Sequence, residues 1–144
     1  MNILVFEDRA YVKQHMRMFL QSMGHNVVIC SSCNGVIESI KANTFDCYIL
    51  DLNVATMGLK AEEVASTNGG LLTGWILLTK YILKKDGQAM EKAVILSDYI
   101  REFKRYIISP SASAEEKAWF NILETRGAIH SKSEGYDALL PHLP

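Results

Sequence analysis

The chain has 144 residues, 49% of them hydrophobic and 22% charged, with a formal net charge of −1. This is enough apolar material for one sizeable core and leaves little room for a second domain. The charge balance gives no overall basic surface for nucleic acid or an anionic membrane, and no apolar segment is long enough to span a bilayer.

Ile3-Leu4-Val5-Phe6 is a short continuous apolar run, the pattern of a parallel strand covered on both faces, and it stops at Glu7-Asp8. Val12, Met16, Phe19, Leu20 and Met23 then recur at helical spacing, with Gly24 as the expected C-terminal cap. Val27-Val28-Ile29 predicts a second strand, and Val36, Ile37 and Ile40 predict a shorter second helix. The third strand lies in Phe45-Asp46-Cys47-Tyr48-Ile49-Leu50, which ends abruptly at Asp51. From Leu52 to Asn68 no strand alternation is sustained, so a long loop is expected there, with one helical turn around Ala61 to Ala65.

Gly69-Gly70 opens an apolar helix over Leu71 to Leu83, and Lys85-Asp86-Gly87 reads as a turn. Ala93-Val94-Ile95-Leu96 predicts a fourth strand stopping at Ser97-Asp98, followed by an irregular basic segment through Ile108. Ser113 and Glu116 have capping-box spacing at the start of a helix that runs to about Arg126 and ends at Gly127. Ala128-Ile129-His130 forms a short fifth strand leading into Ser131-Lys132, and Tyr136 to Leu140 makes a last short helix. Lys84, Lys85, Lys92, Arg101, Lys104 and Arg105 make the middle of the chain locally basic, as solvated helix surface. Trp75, Tyr81 and Trp119 fall at spacings that favour packing.

Strands alternating with helices at this spacing imply a doubly wound parallel sheet. In such sheets the carboxyl ends of the strands form the ligand crevice, so Glu7, Asp8, Asp51, Ser97 and Lys132 are expected to converge. Three carboxylates there repel one another unless a cation sits between them, and Mg²⁺ prefers such oxygen ligands. A lysine and a serine hydroxyl beside them suit a phosphoryl group, toward which aspartate is a nucleophile.

Ile3-Leu4-Val5-Phe6-Glu7-Asp8, Tyr48-Ile49-Leu50-Asp51-Leu52, Val94-Ile95-Leu96-Ser97 and Lys132 resemble the four signatures of a response-regulator receiver domain, over nearly the whole chain. The resemblance implies a single-domain α/β, flavodoxin-like (βα)5 fold over residues 1–144, with strand order 2-1-3-4-5. It implies phosphotransfer to Asp51 from a histidine kinase or histidine phosphotransfer protein, with Mg²⁺ or Mn²⁺ as cofactor. Glu7 and Asp8 match the acidic metal-binding pair, Asp51 the phosphoacceptor and a metal ligand, and Asn53 a ligand through its backbone carbonyl. Ser97 matches the switch hydroxyl and Lys132 the phosphate-pairing lysine. The only chemistry implied is the chain's own phosphorylation and dephosphorylation, with output through an unidentified protein, no direct contact with nucleic acid or membrane, and a cytoplasmic location.

The departures are specific. The glycine that opens the family's third helix corresponds to Gly69 or Gly70, about ten residues late, which implies an insertion at about 54–68; a second insertion falls at about 99–112. Asp98 replaces the small residue after the switch hydroxyl and would repel a phosphoryl group. Ile129 stands where the family often has an aromatic switch, and Ser133 where a proline follows the lysine. These features leave a second reading, a vestigial site on a protein-binding module. A third rests on Cys30-Ser31-Ser32-Cys33, whose CxxC spacing between strand and helix is that of a thiol oxidoreductase. Against it, the motif follows the second strand rather than the first. The prolines at 110, 141 and 144 leave few candidates to face the thiols. Three cysteines without an export signal otherwise read as reduced thiols.

Overall fold

The structure, a computed structural model, describes residues 1–143; Pro144, the last residue of the expected domain, lies outside the described residues. Five strands form one sheet: β1 (Asn2–Phe6), β2 (Asn26–Cys30), β3 (Cys47–Leu50), β4 (Ala93–Ser97) and β5 (Ile129–Ser131). Every pairing is parallel and the order is β2-β1-β3-β4-β5. Parallel neighbours require crossover connections, and these put all the strand carboxyl ends on one edge. Glu7, Asp51, Asp98 and Lys132 therefore each follow directly on a strand at the same edge of the sheet.

The apolar runs are continuous because successive side chains face opposite sides of a sheet that is buried on both. On one side Leu4, Phe6, Tyr48, Leu50 and Ile95 form the larger core layer. It is closed by α2 (Cys33–Ala42), the helix that begins at Thr73, α6 (Ile100–Ile108) and α7 (Ala114–Thr125). On the other side Ile3, Val5, Ile49, Val94 and Leu96 pack against Met16 and Leu20 of α1 (Ala10–Ser22) and against Leu139 and Leu143 near the C-terminus.

Between β3 and β4 lie a short helix α3 (Ala61–Ala65) and the main helix α4, which runs as Thr73–Leu77, a π-helical turn Leu78–Ile82, and Leu83–Lys85. A further short helix α5 (Ala89–Lys92) leads into β4. Asn68, Gly69 and Gly70 all have positive φ, which turns the chain sharply before α4.

Two expectations are corrected. The segment from 99 to 112, expected as an irregular insertion, contains helix α6, with Phe103 and Ile107 buried and Arg101, Lys104 and Arg105 on the exposed face. Its basic residues are the solvated side of an amphipathic helix, and the β4-to-β5 crossover carries two helices, α6 and α7. The final helix is two 3₁₀ turns, Lys132–Glu134 and Tyr136–His142. Pro141, inside the second, has no N–H for an α-helical ladder.

Candidate functional site

Asp51 leaves β3 with its backbone N–H donating to the Phe6 carbonyl at 3.0 Å, so its side chain emerges between β1 and β4. It is 4% exposed. The backbone behind it is clamped by α4, where Gly74 N–H donates to the Leu52 carbonyl at 3.0 Å. Gly74, rather than Gly69 or Gly70, which were matched to the glycine opening the family's third helix, makes the close backbone approach to β3. A Cβ at Gly69 would meet nothing, and one at Gly70 would meet only side-chain atoms at ordinary contact distance. In the sequence Gly74 is one small residue inside an apolar helix, with nothing to mark it.

Both carboxylate oxygens of Asp51 are engaged. Lys132 Nζ lies 2.7 Å from Oδ2 and also pairs with Glu7 Oε2, so one ammonium bridges two buried carboxylates across three strand ends. Ser97 Oγ donates to Asp51 Oδ1 at 2.8 Å and accepts from Tyr99 N–H at 3.2 Å, which fixes the direction of the hydroxyl proton. Glu7, 1% exposed, also accepts from Arg9 N–H at 2.9 Å through Oε1. The sequence-predicted residues Glu7, Asp51, Ser97 and Lys132 are thus in one hydrogen-bonded group.

Asp8 stands apart from this group, exposed. It lines a cavity of about 610 Å³ together with Asp51, Asn53, Arg9, Asp98 and Tyr99. Arg9, not singled out in the sequence, reaches across the mouth. Its Nη2 lies 3.0 Å from Asp98 Oδ2, and its Nε is 3.7 Å from Glu7 Oε1. The hydrogen bond to Asp98, with the nearby charges of Glu7 and Asp51, raises the Arg9 pKa above its ordinary value.

Among the described residues no group of three His, Cys, Asp or Glu side chains is arranged to hold a metal ion. The donor set nevertheless has the right chemistry for a hard cation. Asp8, Asp51 and the Asn53 carbonyl are oxygen donors on residues lining one cavity, and Mg²⁺ commonly takes one or two carboxylates and keeps several waters. Glu7 fits that role less well than expected, because Lys132 and the Arg9 amide already hold its carboxylate. Its visible task is to position Lys132.

The geometry lends the CxxC thiols no support as a redox pair. Cys30 and Cys33 are buried and unbonded to each other, Cys30 contacting Ser39 Oγ at 3.4 Å. Burial pushes the Cys33 thiol up to about 11, which disfavours the reactive thiolate. Ser32 explains part of the motif, since its hydroxyl accepts from Gly35 N–H and caps α2.

No family model matches the chain. No curated protein matches it either. Solved structures do. A CheY-like receiver domain protein from Methanospirillum hungatei superposes with a TM-score of 0.61 at 18% identity, covering 96% of this chain and 86% of that one. RcsB from Salmonella enterica, solved bound to promoter rprA in the presence of a phosphomimetic, gives 0.60 at 17% identity, covering 100% of this chain and 68% of that one. A Burkholderia pseudomallei response regulator with a phosphorylated aspartic acid, a calcium ion and citrate gives 0.56 at 16%, covering 99% and 66%. The chain has the flavodoxin-like fold of response-regulator receiver domains.

Proposed function

We propose that this chain is a phosphoacceptor receiver of a two-component phosphorelay, taking a phosphoryl group on Asp51 from a histidine kinase or histidine phosphotransfer protein. The observation that carries the reading is the buried Asp51 carboxylate at a strand end, with Lys132 on one oxygen and the Ser97 hydroxyl on the other, on the wall of an open cavity. In the reaction an Asp51 carboxylate oxygen attacks phosphorus, the bond from phosphorus to the donor breaks, and its electron pair leaves with the donor. Lys132 and Ser97 then turn from the carboxylate to the equatorial oxygens, where charge collects.

Mg²⁺, or Mn²⁺ in its place, held by Asp8, Asp51 and the Asn53 carbonyl, would neutralise phosphoryl charge when bound. Output is a phosphorylation-dependent protein contact, and the chain turns over no separate substrate. Among the described residues no helix is long and apolar enough to cross a membrane, and a cytoplasmic location is part of the proposal.

The test is intact mass after incubation with Mg²⁺ and acetyl phosphate, beside an Asp51→Asn variant. A phosphoryl adduct in the wild type that is missing from the variant supports the reading. The competing reading, a protein-binding module with a vestigial site, is motivated by Asp98 and Ile129, which depart from the family pattern. It predicts no adduct and no spectral response to beryllofluoride.

A further inference from the structure

Arg9 is the one cationic side chain among the residues lining the cavity in front of Asp51, and Asp98 holds its guanidinium. The two belong to different strand ends, Arg9 lying between β1 and α1 and Asp98 directly after Ser97 at the end of β4. Their contact therefore straps the two loops that flank the phosphoacceptor.

The strap is weak by construction. Arg9 and Asp98 have side chains 52% and 46% exposed, and an ion pair in that setting is readily exchanged for a better partner. A phosphoryl group is such a partner, carrying about −1.5 to −2 charge with three acceptor oxygens that match the guanidinium fork. The charge count pushes the same way. Glu7, Asp8, Asp51 and Asp98 face Arg9 and Lys132, and Lys132 is committed to Glu7 and Asp51 deep in the site. Beyond Lys132, the cation that further negative charge in the cavity can draw on is Arg9.

We infer that Arg9 is a phosphoryl-binding residue of the Asp51 pocket, which Asp98 holds off the site until the phosphoryl group arrives. The inference rests on the phosphoacceptor reading. It also gives Asp98 a role the sequence did not suggest: expected to repel phosphate, its charge is instead spent on Arg9. When Arg9 moves to the phosphoryl oxygens, Asp98 is released at the start of α6, next to the hydroxyl that contacts Asp51.

The experiment follows adduct formation by intact mass, with Mg²⁺ and acetyl phosphate, in the wild type, Arg9→Ala, Arg9→Lys, Asp98→Ala and the double Ala variant. Arg9→Ala should accumulate adduct about tenfold more slowly, the loss of one charge-assisted hydrogen bond in the transition state, with Arg9→Lys in between. Asp98→Ala frees the guanidinium and should be about threefold faster, an advantage that disappears when Arg9 is also absent. A purely structural salt bridge would make both single variants behave alike. Equal slowing of both, or no change in either, overturns the inference. All variants should melt within about 2 °C of the wild type, since the pair is exposed.

If the wild type forms no adduct, the phosphoacceptor reading fails, and a second arm still decides the role of Arg9. Inorganic phosphate titrated into the protein should shift the Arg9 Nε–H resonance, at lower phosphate in Asp98→Ala than in the wild type. A resonance that does not respond overturns the inference independently of phosphotransfer.

Discussion

A methyl group on Gly74 would stand 2.0 Å from the backbone carbonyl oxygen of Asp51. The contact is with backbone on both sides, so neither a rotamer change nor a small side-chain shift can relieve it. Gly74→Ala must push α4 away from the end of β3 and break the Gly74 N–H bond to Leu52. Overpacking of this kind should destabilise the fold by at least about 2 kcal/mol, read as a lower thermal midpoint. Any adduct formation by the variant should also be slowed, because the displaced backbone is that of the phosphoacceptor. A variant as stable as the wild type would mean that α4 does not press on Asp51.

Gly74 also marks where sequence reasoning stopped. The strands were legible because a parallel strand buried on both faces must be an unbroken apolar run, as in Ile3 to Phe6 and Val94 to Leu96. The convergence of Glu7, Asp51, Ser97 and Lys132 followed from the parallel topology alone. Close backbone approach, by contrast, is a tertiary fact, and nothing local separates Gly74 from Gly69 and Gly70. Helix α6 was hidden for another reason. Ile100, Phe103 and Ile107 do recur at helical spacing, and Arg101, Lys104 and Arg105 were expected as solvated helix surface, but the segment carrying them read as irregular because no cap marks its start. Arg9 carried no signal until the fold brought Asp98, 89 residues away, to its side.

Lys132→Met should leave Glu7 and Asp51 as two buried carboxylates with no cation between them. Breaking a buried pair from one side typically costs about 3 kcal/mol or more. The same loss should make a divalent cation more valuable, so Mg²⁺ should raise the thermal midpoint of Lys132→Met more than that of the wild type. Equal stabilisation of the two proteins would show that the metal and the lysine do not share a charge balance.

Glu116 ties three helices, α4, α6 and α7, together over the larger core layer. It accepts from Trp75 Nε1 at 2.8 Å and from the Tyr106 hydroxyl at 2.9 Å, and it completes the capping box with Ser113 N–H at 3.2 Å. Trp75 is fully buried, so Glu116→Ala leaves its indole N–H without an acceptor. The variant should lose about 2 kcal/mol in denaturant unfolding, with Glu116→Gln losing less because it keeps an acceptor oxygen. A native-state shift in Trp75 emission should accompany the change. Unchanged stability in Glu116→Ala would mean that water replaces all three bonds.

His142 gives the protein a pH dependence distant from Asp51 in origin. Its Nε2 lies 3.1 Å from Nε2 of His130, whose other ring nitrogen is 3.2 Å from Glu134 Oε1. Burial, the neighbouring His130 and the charge of Arg126 lower the His142 pKa below the ordinary imidazole value, while the Gly127 backbone opposes them. A histidine depressed in the folded state binds its proton more tightly in the unfolded chain. Stability from this group is therefore complete above about pH 6.5 and declines as the pH falls below it. Glu134 acts in the same direction in a lower window. The hydrogen bond from His130, then that from Ser131 N–H, lowers its pKa, and its contribution is lost below the ordinary carboxylate range. Thermal midpoints measured from pH 7.5 to 5.5 should fall in the wild type and fall less in His142→Gln, which keeps a polar group but has no proton to gain. The remaining decline belongs to other groups, and a slope identical in the two proteins would remove His142 from the account.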